Sequence, residues 1–397
     1  MKYNFDELIN RRGTGSIKWD FGDVLKQMGF AERFDEDTLP LFTADMDFAV
    51  PPAVVEAMHK TADQRIYGYT MAPDSYFDAV INWFGKRHNW ELKREEILYC
   101  PGTVHALGVA VRALTEPGDG VIIQRPVYFP FTTAIEGNGR VVANNQMLVN
   151  EEGYYVPDLK GFEDLAKKPE NKVFILCNPH NPSGRIFENE DLKDLARICK
   201  ENGVTIVADE IHGDLIRKDQ VFTPIAKIAE STEHIITCTA INKTFNVAGL
   251  HVTNVVISNP DLRQIFSNEL GMLMPTPFAY NALIAAYNEG EEWLEALKEY
   301  LDGTIDWVMD FLDREMPKVK FVRPEGTYIF WMDFREYGIS HEEIRKRIYV
   351  DANVILEGGL MYDPDQGAGF ERICLSSPRP MVQEAFQRIA VAFEDLK

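Results

Sequence analysis

The chain has 397 residues, 45% hydrophobic and 26% charged, a balance that argues against a disordered polymer and leaves room for two or three domains. Its net charge of −21 argues against nucleic-acid or anionic-membrane partners, which need a basic footprint, although a local group of donors can still hold an anionic small molecule. The five cysteines (Cys100, Cys177, Cys199, Cys238 and Cys374) are odd in number and form no C-x-x-C pair, so neither a disulfide framework nor a zinc or other metal site is expected.

Residues 1–20 are polar, without the apolar core of a signal peptide, and no stretch approaches the roughly 20 apolar residues of a membrane span; a cytoplasmic enzyme is expected. Residues 1–44 are too short and irregular to stand alone, and are expected to pack with the smaller of two domains. From 45 to 287, the larger domain, short apolar runs rich in Val and Ile recur at 97–100, 120–124, 172–177, 204–208, 235–239 and 252–258. Such runs suit strands buried on both faces. Helical patterns lie between several of them. One spans 103–114; another spans 189–201, with Leu192, Leu195, Ala196 and Cys199 at helical spacing before Gly203. Strand, helix, strand at these distances implies a mostly parallel sheet with right-handed crossovers. From 288 to 397 the texture changes. A long amphipathic pattern at 291–316, with Leu294, Leu297, Leu301, Ile305, Val308 and Leu312, ends at Pro317. Strand-like stretches at 327–334 and 372–375, a helix-like stretch at 341–349 and a closing helix after Pro380 predict a smaller α+β domain.

The unusual polar residues fall just after the buried runs: Gly102 and Thr103, Tyr128, the string Asn178-Pro-His-Asn-Pro-Ser-Gly184, Asp209 to His212, and Lys243. In a parallel sheet these segments meet at the carboxyl edge, where open α/β sheets bind ligands. A lysine there is either a solvated surface amine or a partly desolvated nucleophile. Asp209 is either a helix cap or the partner of a buried cation, such as a protonated ring nitrogen. The N–H groups at Gly102 and Thr103 open a helix and can bind phosphate, as any such turn can. Tyr128 is core packing or a stacking platform. Arg379 is a surface arginine or a carboxylate clamp.

In their order, Asn178 to Gly184, Asp209-Glu-Ile-His212, Lys243-Thr-Phe-Asn246 and the late Pro378-Arg379 resemble fold-type I pyridoxal 5′-phosphate (PLP) enzymes of the class I/II aminotransferase superfamily. Ala44-Asp-Met-Asp-Phe48, Arg65-Ile-Tyr-Gly-Tyr69 and Gly326-Thr-Tyr-Ile-Phe-Trp331 resemble its MalY/PatB branch of cystathionine β-lyases, or C-S lyases. The likeness runs from about Asp45 to Arg379. It implies an α/β large domain with a mostly parallel seven-stranded sheet sandwiched by helices, plus the small α+β domain. It also implies roles. Lys243 would hold the cofactor as a Schiff base, Asp209 would pair with the ring nitrogen, and Tyr128 would stack on the ring. Asn181, with His212 beside it where many relatives have tyrosine, would bond the phenolic oxygen. Gly102, Thr103 and Val104 would cradle the phosphate, with Thr239 compensating for missing donors. Tyr67 would reach the phosphate of the neighbouring subunit, making a homodimer with shared active sites. Arg379 would bind the substrate carboxylate. The chain departs from the pattern at Ala240, Asn242 and His251, where many relatives carry serine, serine and arginine.

The implied reaction is α,β-elimination from an amino acid carrying a thiolate leaving group, giving pyruvate, ammonia and, from cystathionine, homocysteine. An aminotransferase shares the early steps, and no single residue separates the two. A regulatory protein that keeps the pocket for protein contacts is the third reading.

Overall fold

The short apolar runs assemble into one sheet in the computed structural model, which describes residues 2–396. Its strands are β1 (Ile97–Cys100), β2 (Gly120–Ile123), β3 (Val141–Asn144), β4 (Asn171–Cys177), β5 (Thr205–Asp209), β6 (Ile235–Thr239) and β7 (Thr253–Val256), in the order β1-β7-β6-β5-β4-β2-β3. Period-two alternation divides each strand between two cores. Val121, Val173, Val207, Ile236 and Val255 face one side, packed with Leu107, Val109 and Val111. Ile122, Phe174, Ile206 and Ile235 face the other, packed with Leu192, Leu195 and Cys199.

Two features depart from the sequence expectation. The run 252–258 forms β7, which pairs antiparallel with both β1 and β6, so it begins rather than ends at the carboxyl edge. β3 is an edge strand whose side chains are exposed or half-buried; it offers no buried run to read.

The helices used below are α1 (Pro52–Ala62), α2 (Asp74–His88), α3 (Thr103–Leu114), α4 (Asn189–Asn202), α5 (Pro277–Glu289), α6 (Glu291–Glu315) and α7 (Arg379–Ala392). α4 stops where Gly203 turns left-handed at φ +71°, a conformation glycine adopts without strain. α6 serves two cores. Trp293, Leu294, Leu297 and Leu301 pack with α2, α5 and the start of the chain; Ile305, Val308, Phe311 and Leu312 pack under a second sheet. That sheet is antiparallel, in the order β8 (Ile329–Asp333), β10 (Phe370–Cys374), β9 (Glu357–Gly358). The first residues touch both cores. Phe5 packs against Phe48 and Trp293, while Leu25, Leu41 and Phe42 join the second cluster and Leu39–Pro40 pairs with Val354–Ile355. No helix among the described residues is long and apolar enough to cross a membrane.

Candidate active site

Lys243 sits on a single helical turn, Ile241–Thr244, directly after β6. Its Nζ donates to the Ala44 carbonyl at 2.6 Å, and the Tyr328 hydroxyl donates to the same oxygen at 2.8 Å. Burial lowers the pKa of this amine, and the charge of Arg372 adds to that shift. Two flanking contacts position the turn. The Thr244 hydroxyl donates to buried Asp214, which also accepts from the Trp83 indole of α2. Asn246, three residues past the lysine, accepts from the Met46 N–H and donates to the carbonyls of Met46 and Phe48. Two motifs about 200 residues apart in sequence therefore share one hydrogen-bonded clamp.

The other strand ends supply the facing groups. Asp209 closes β5, is 4% exposed, and takes only a 3.3 Å bond from the Ile211 N–H. Burial pushes its carboxyl up to about 7 and the Lys243 charge offsets this only in part. Asn181 is buried in the turn after β4 and accepts at Oδ1 from the Arg372 guanidinium at 3.3 Å. Burial drives His212 down to about 3, so its imidazole is neutral, and its Nδ1 has no protein partner. Tyr128 leans edge-on against Phe131, and burial raises its pKa; the charges of Arg372 and Asp209 act on it.

Three hydroxyl-bearing residues gather where β1, β7 and β6 lie side by side. Thr103 opens α3, and its hydroxyl lies 3.1 Å from that of Thr253 at the start of β7. β7 brings Thr253 there because it runs antiparallel. Thr239, at the end of β6, keeps a buried hydroxyl without a protein partner. A side chain at Gly102 would meet nothing within 4 Å, so the backbone before α3 faces open space. Val104 and His251 are exposed nearby in sequence, and the His251 carbonyl accepts from Tyr99.

Arg379, expected from the sequence to bind a substrate carboxylate, stands apart from these groups. Arg379 begins α7 and turns onto α6: its Nε donates to the Thr304 hydroxyl at 3.1 Å, its NH2 to the Tyr300 carbonyl at 3.0 Å, and its guanidinium lies over the Tyr300 ring. Gly303 leaves the space for it. The arginine that the structure brings among these groups is Arg372, on β10 and 1% exposed, bonded to Asn181, the Phe42 carbonyl and, at 2.6 Å, the Glu357 carboxylate. Its Nε has no partner. The signal was present: a charge at the head of the strand-like stretch 372–375 must face a partner when that strand is buried, whereas a proline-flanked arginine at a helix start reads as a clamp only by position. The sequence reading also missed Ala44, Tyr328 and Glu357. Tyr67 places its hydroxyl on the Ala62 carbonyl at 2.6 Å and its ring against Phe278, in an exposed apolar stretch.

These residues fit PLP. A partly desolvated amine suits its aldehyde, a buried acid its ring nitrogen, and the Thr239, Thr103 and Gly102 cup its phosphate. Asp209 gives the fit a pH signature. Unfolded, its carboxyl ionises near the ordinary value of 3.8, and folded near about 7, so the cofactor-free protein loses stability as pH rises through that window. A ring cation against Asp209 offsets the loss. The melting-temperature gap between cofactor-loaded and cofactor-free protein should therefore widen from about pH 5 to 7, and stay flat in Asp209→Asn. A pH-independent wild-type gap would remove Asp209 as the ring partner.

The family description "Aminotransferase class I and II" matches residues 36–389. Cystathionine beta-lyase PatB of Bacillus subtilis is 41% identical over 98% of this chain and 99% of its own, and Protein MalY of Escherichia coli is 29% identical over 96% of each. Among solved structures, cystalysin from Treponema denticola, containing pyridoxal 5′-phosphate, superposes with a TM-score of 0.93 at 35% identity, covering 100% of both chains. The PLP-bound C-S lyase from Staphylococcus hominis gives 0.92 at 32% identity, covering 99% of this chain and 98% of its own. With its sheet, its lysine and its matched span accounted for, the chain belongs to the class I and II aminotransferase family.

Proposed function

We propose that the protein is a PLP-dependent carbon-sulfur β-lyase, cleaving cystathionine and related cysteine thioethers to a thiol, pyruvate and ammonia, in the cytoplasm and as a homodimer. The observation that carries this reading is Lys243, an amine of lowered pKa at a strand end, under the charges of Asp209 and Arg372. The full-length likeness to a cystathionine β-lyase supports elimination over transamination.

When bound, PLP supplies an aldehyde and an electron-withdrawing ring that stabilises negative charge at a substrate Cα. The chain supplies the rest. Arg372 binds the α-carboxylate through its free Nε, and Asn181 fixes the guanidinium plane. Asp209 would hold a proton at the ring nitrogen of the bound cofactor. Tyr128 would lie against the face of the cofactor ring. Lys243 takes the Cα proton, and the Ala44 carbonyl and Tyr328 fix the direction of approach. The Cβ–S bond then breaks and the thiolate leaves; hydrolysis of the remaining three-carbon fragment yields pyruvate and ammonia.

Ile66, Tyr69, Met71 and Met272 are all at least 79% exposed, a patch that supports burial against a second copy, and Tyr67 lies among them. The test of the whole reading is incubation of the cofactor-loaded enzyme with cystathionine and no keto acid. Steady pyruvate release by a species of twice 45.3 kDa is expected. A single stalled half-turnover would make it an aminotransferase, and pyruvate from a monomer would remove the shared site.

A further inference from the structure

Asp209 is the one acid in a row of apolar side chains that crosses the sheet. On β5 it is registered with Cys177 of β4 on one side and Cys238 of β6 on the other, and the row continues through Val255 of β7 to Leu98 of β1. Residues in register on neighbouring strands point to the same face. Cys177, Cys238 and Val255 belong to the core cluster that also holds Val207, two positions before Asp209 on the same strand face. The Asp209 charge acts on both thiols.

This row gives the carboxyl almost no hydrogen bonding. Its Oδ1 takes one long bond, from the Ile211 N–H at 3.3 Å, and its Oδ2 has no hydrogen-bond partner among the described residues. A thiol is a weak donor. The Cys177 thiol is also turned elsewhere: it donates to the Pro179 carbonyl at 3.7 Å and accepts from the Asn181 N–H at 3.4 Å. Cys238 is fully buried in the apolar cluster. Burial raises both thiols well above their ordinary range, so neither adds a charge. A serine, nearly the same size, would put a strong O–H donor at either place. A carboxylate satisfied from the side in this way holds a cation above it less tightly.

We propose that Cys177 and Cys238 are positioning residues for Asp209: two sulfur walls that withhold competing donors and reserve its free oxygen for the ring nitrogen of the cofactor. The proposal rests on the reading of Asp209 as the partner of that nitrogen, but the walls themselves can be measured without cofactor. The other groups that act on Asp209 are Lys243 from the turn after β6, Tyr128 from the loop after β2 and the adjacent Glu210. All three stay in place when either cysteine is replaced, so a comparison of substitutions at one cysteine isolates the wall.

The test compares Cys238→Ser with Cys238→Ala in the full chain, and the same pair at Cys177 keeps it decisive if a Cys238 variant fails to fold. Equilibrium titration with PLP and with 1-deazapyridoxal phosphate, which lacks the ring nitrogen, reads the reserved oxygen. The wild type should bind PLP at least about tenfold more tightly; serine should cut that preference by about threefold or more, and alanine should leave it unchanged. Thermal melts of the cofactor-free protein read the wall alone. The part of its stability that Asp209→Asn removes is lost as pH rises from the ordinary 3.8 to about 7. Serine should pull the folded value down and shrink that loss by roughly a third for each pH unit of displacement. Alanine adds no donor and should shift the melting temperature equally at every pH. A role in packing alone predicts the alanine pattern for both substitutions. A serine variant with the wild-type pH slope, one that keeps the full preference for PLP, or an alanine variant that flattens the slope as much as serine overturns the proposal. If serine flattens the slope but the wild type binds both cofactors equally, the sulfur walls stand and the ring-nitrogen role of Asp209 falls.

Discussion

Lys243→Ala is expected to abolish the visible absorbance of the cofactor-loaded protein and to lower turnover by at least about a thousandfold, since a positioned general acid-base group alone contributes about 10²- to 10⁴-fold. The variant should still fold. Alanine fits a helical turn, and the Ala44 carbonyl that loses the lysine keeps the Tyr328 hydroxyl. The clamp made by Asn246 on Met46 and Phe48 is also untouched. A melting temperature close to wild type in the cofactor-free protein would therefore accompany the lost activity. Methylamine added to the variant should restore part of the turnover, because a small amine can enter the space and carry the proton. Retained absorbance with full turnover would mean that another amine does the chemistry, and the assignment of the site would fail with it.

The second large effect separates two arginines seven positions apart. Arg372→Leu should lower kcat/KM by roughly 10²- to 10³-fold, the scale of losing one partner of a buried, hydrogen-bonded charge pair. It should also destabilise the fold by about 3–5 kcal/mol, because Glu357 is left buried without its cation. Adding Glu357→Leu should recover much of the stability and none of the substrate affinity, which distinguishes a folding defect from a binding one. Arg379→Leu, by contrast, removes bonds to Thr304 and the Tyr300 carbonyl and should change KM by no more than about twofold, with its cost confined to the α6–α7 contact. Steady-state kinetics and thermal melts on the four proteins decide the matter. A large KM effect at Arg379 with none at Arg372 would reverse the assignment.

The placement of Arg379 shows where sequence reasoning stops. The segment that ends in Ser376, Ser377 and Pro378 is recognisable, and an arginine in it resembles a carboxylate clamp by its place in the motif. Which way the side chain points depends on α6, whose Thr304 and Tyr300 capture it and whose Gly303 admits it. Arg372 lies only seven residues earlier in a strand, and alternation alone sends it to the face shared with Glu357 on β9. Reading that face requires knowing that β9 is the partner. In the same way, Val252 to Ser258 reads as one more strand, but only pairing with β1 and β6 fixes its antiparallel direction, and with it the meeting of Thr253 and Thr103.

Local chemistry was legible throughout. Apolar runs of four to seven residues require burial on two faces, Gly203 stops the helical pattern of 189–201, and the residues just after buried strands gather at one edge of a mostly parallel sheet. That places Lys243, Asp209, Asn181, Tyr128 and Thr103 in one neighbourhood from the sequence alone. What tertiary structure alone decided were the long-range partners: the Ala44 carbonyl on the lysine amine, Asn246 on Met46, Glu357 on Arg372 and Arg11 on Asp45. Hydrogen bonds and ion pairs depend on distances of about 3 Å between groups that the chain separates by tens to hundreds of residues. Sequence spacing carries periodicity and direction along an element, but not which distant side chain completes a contact.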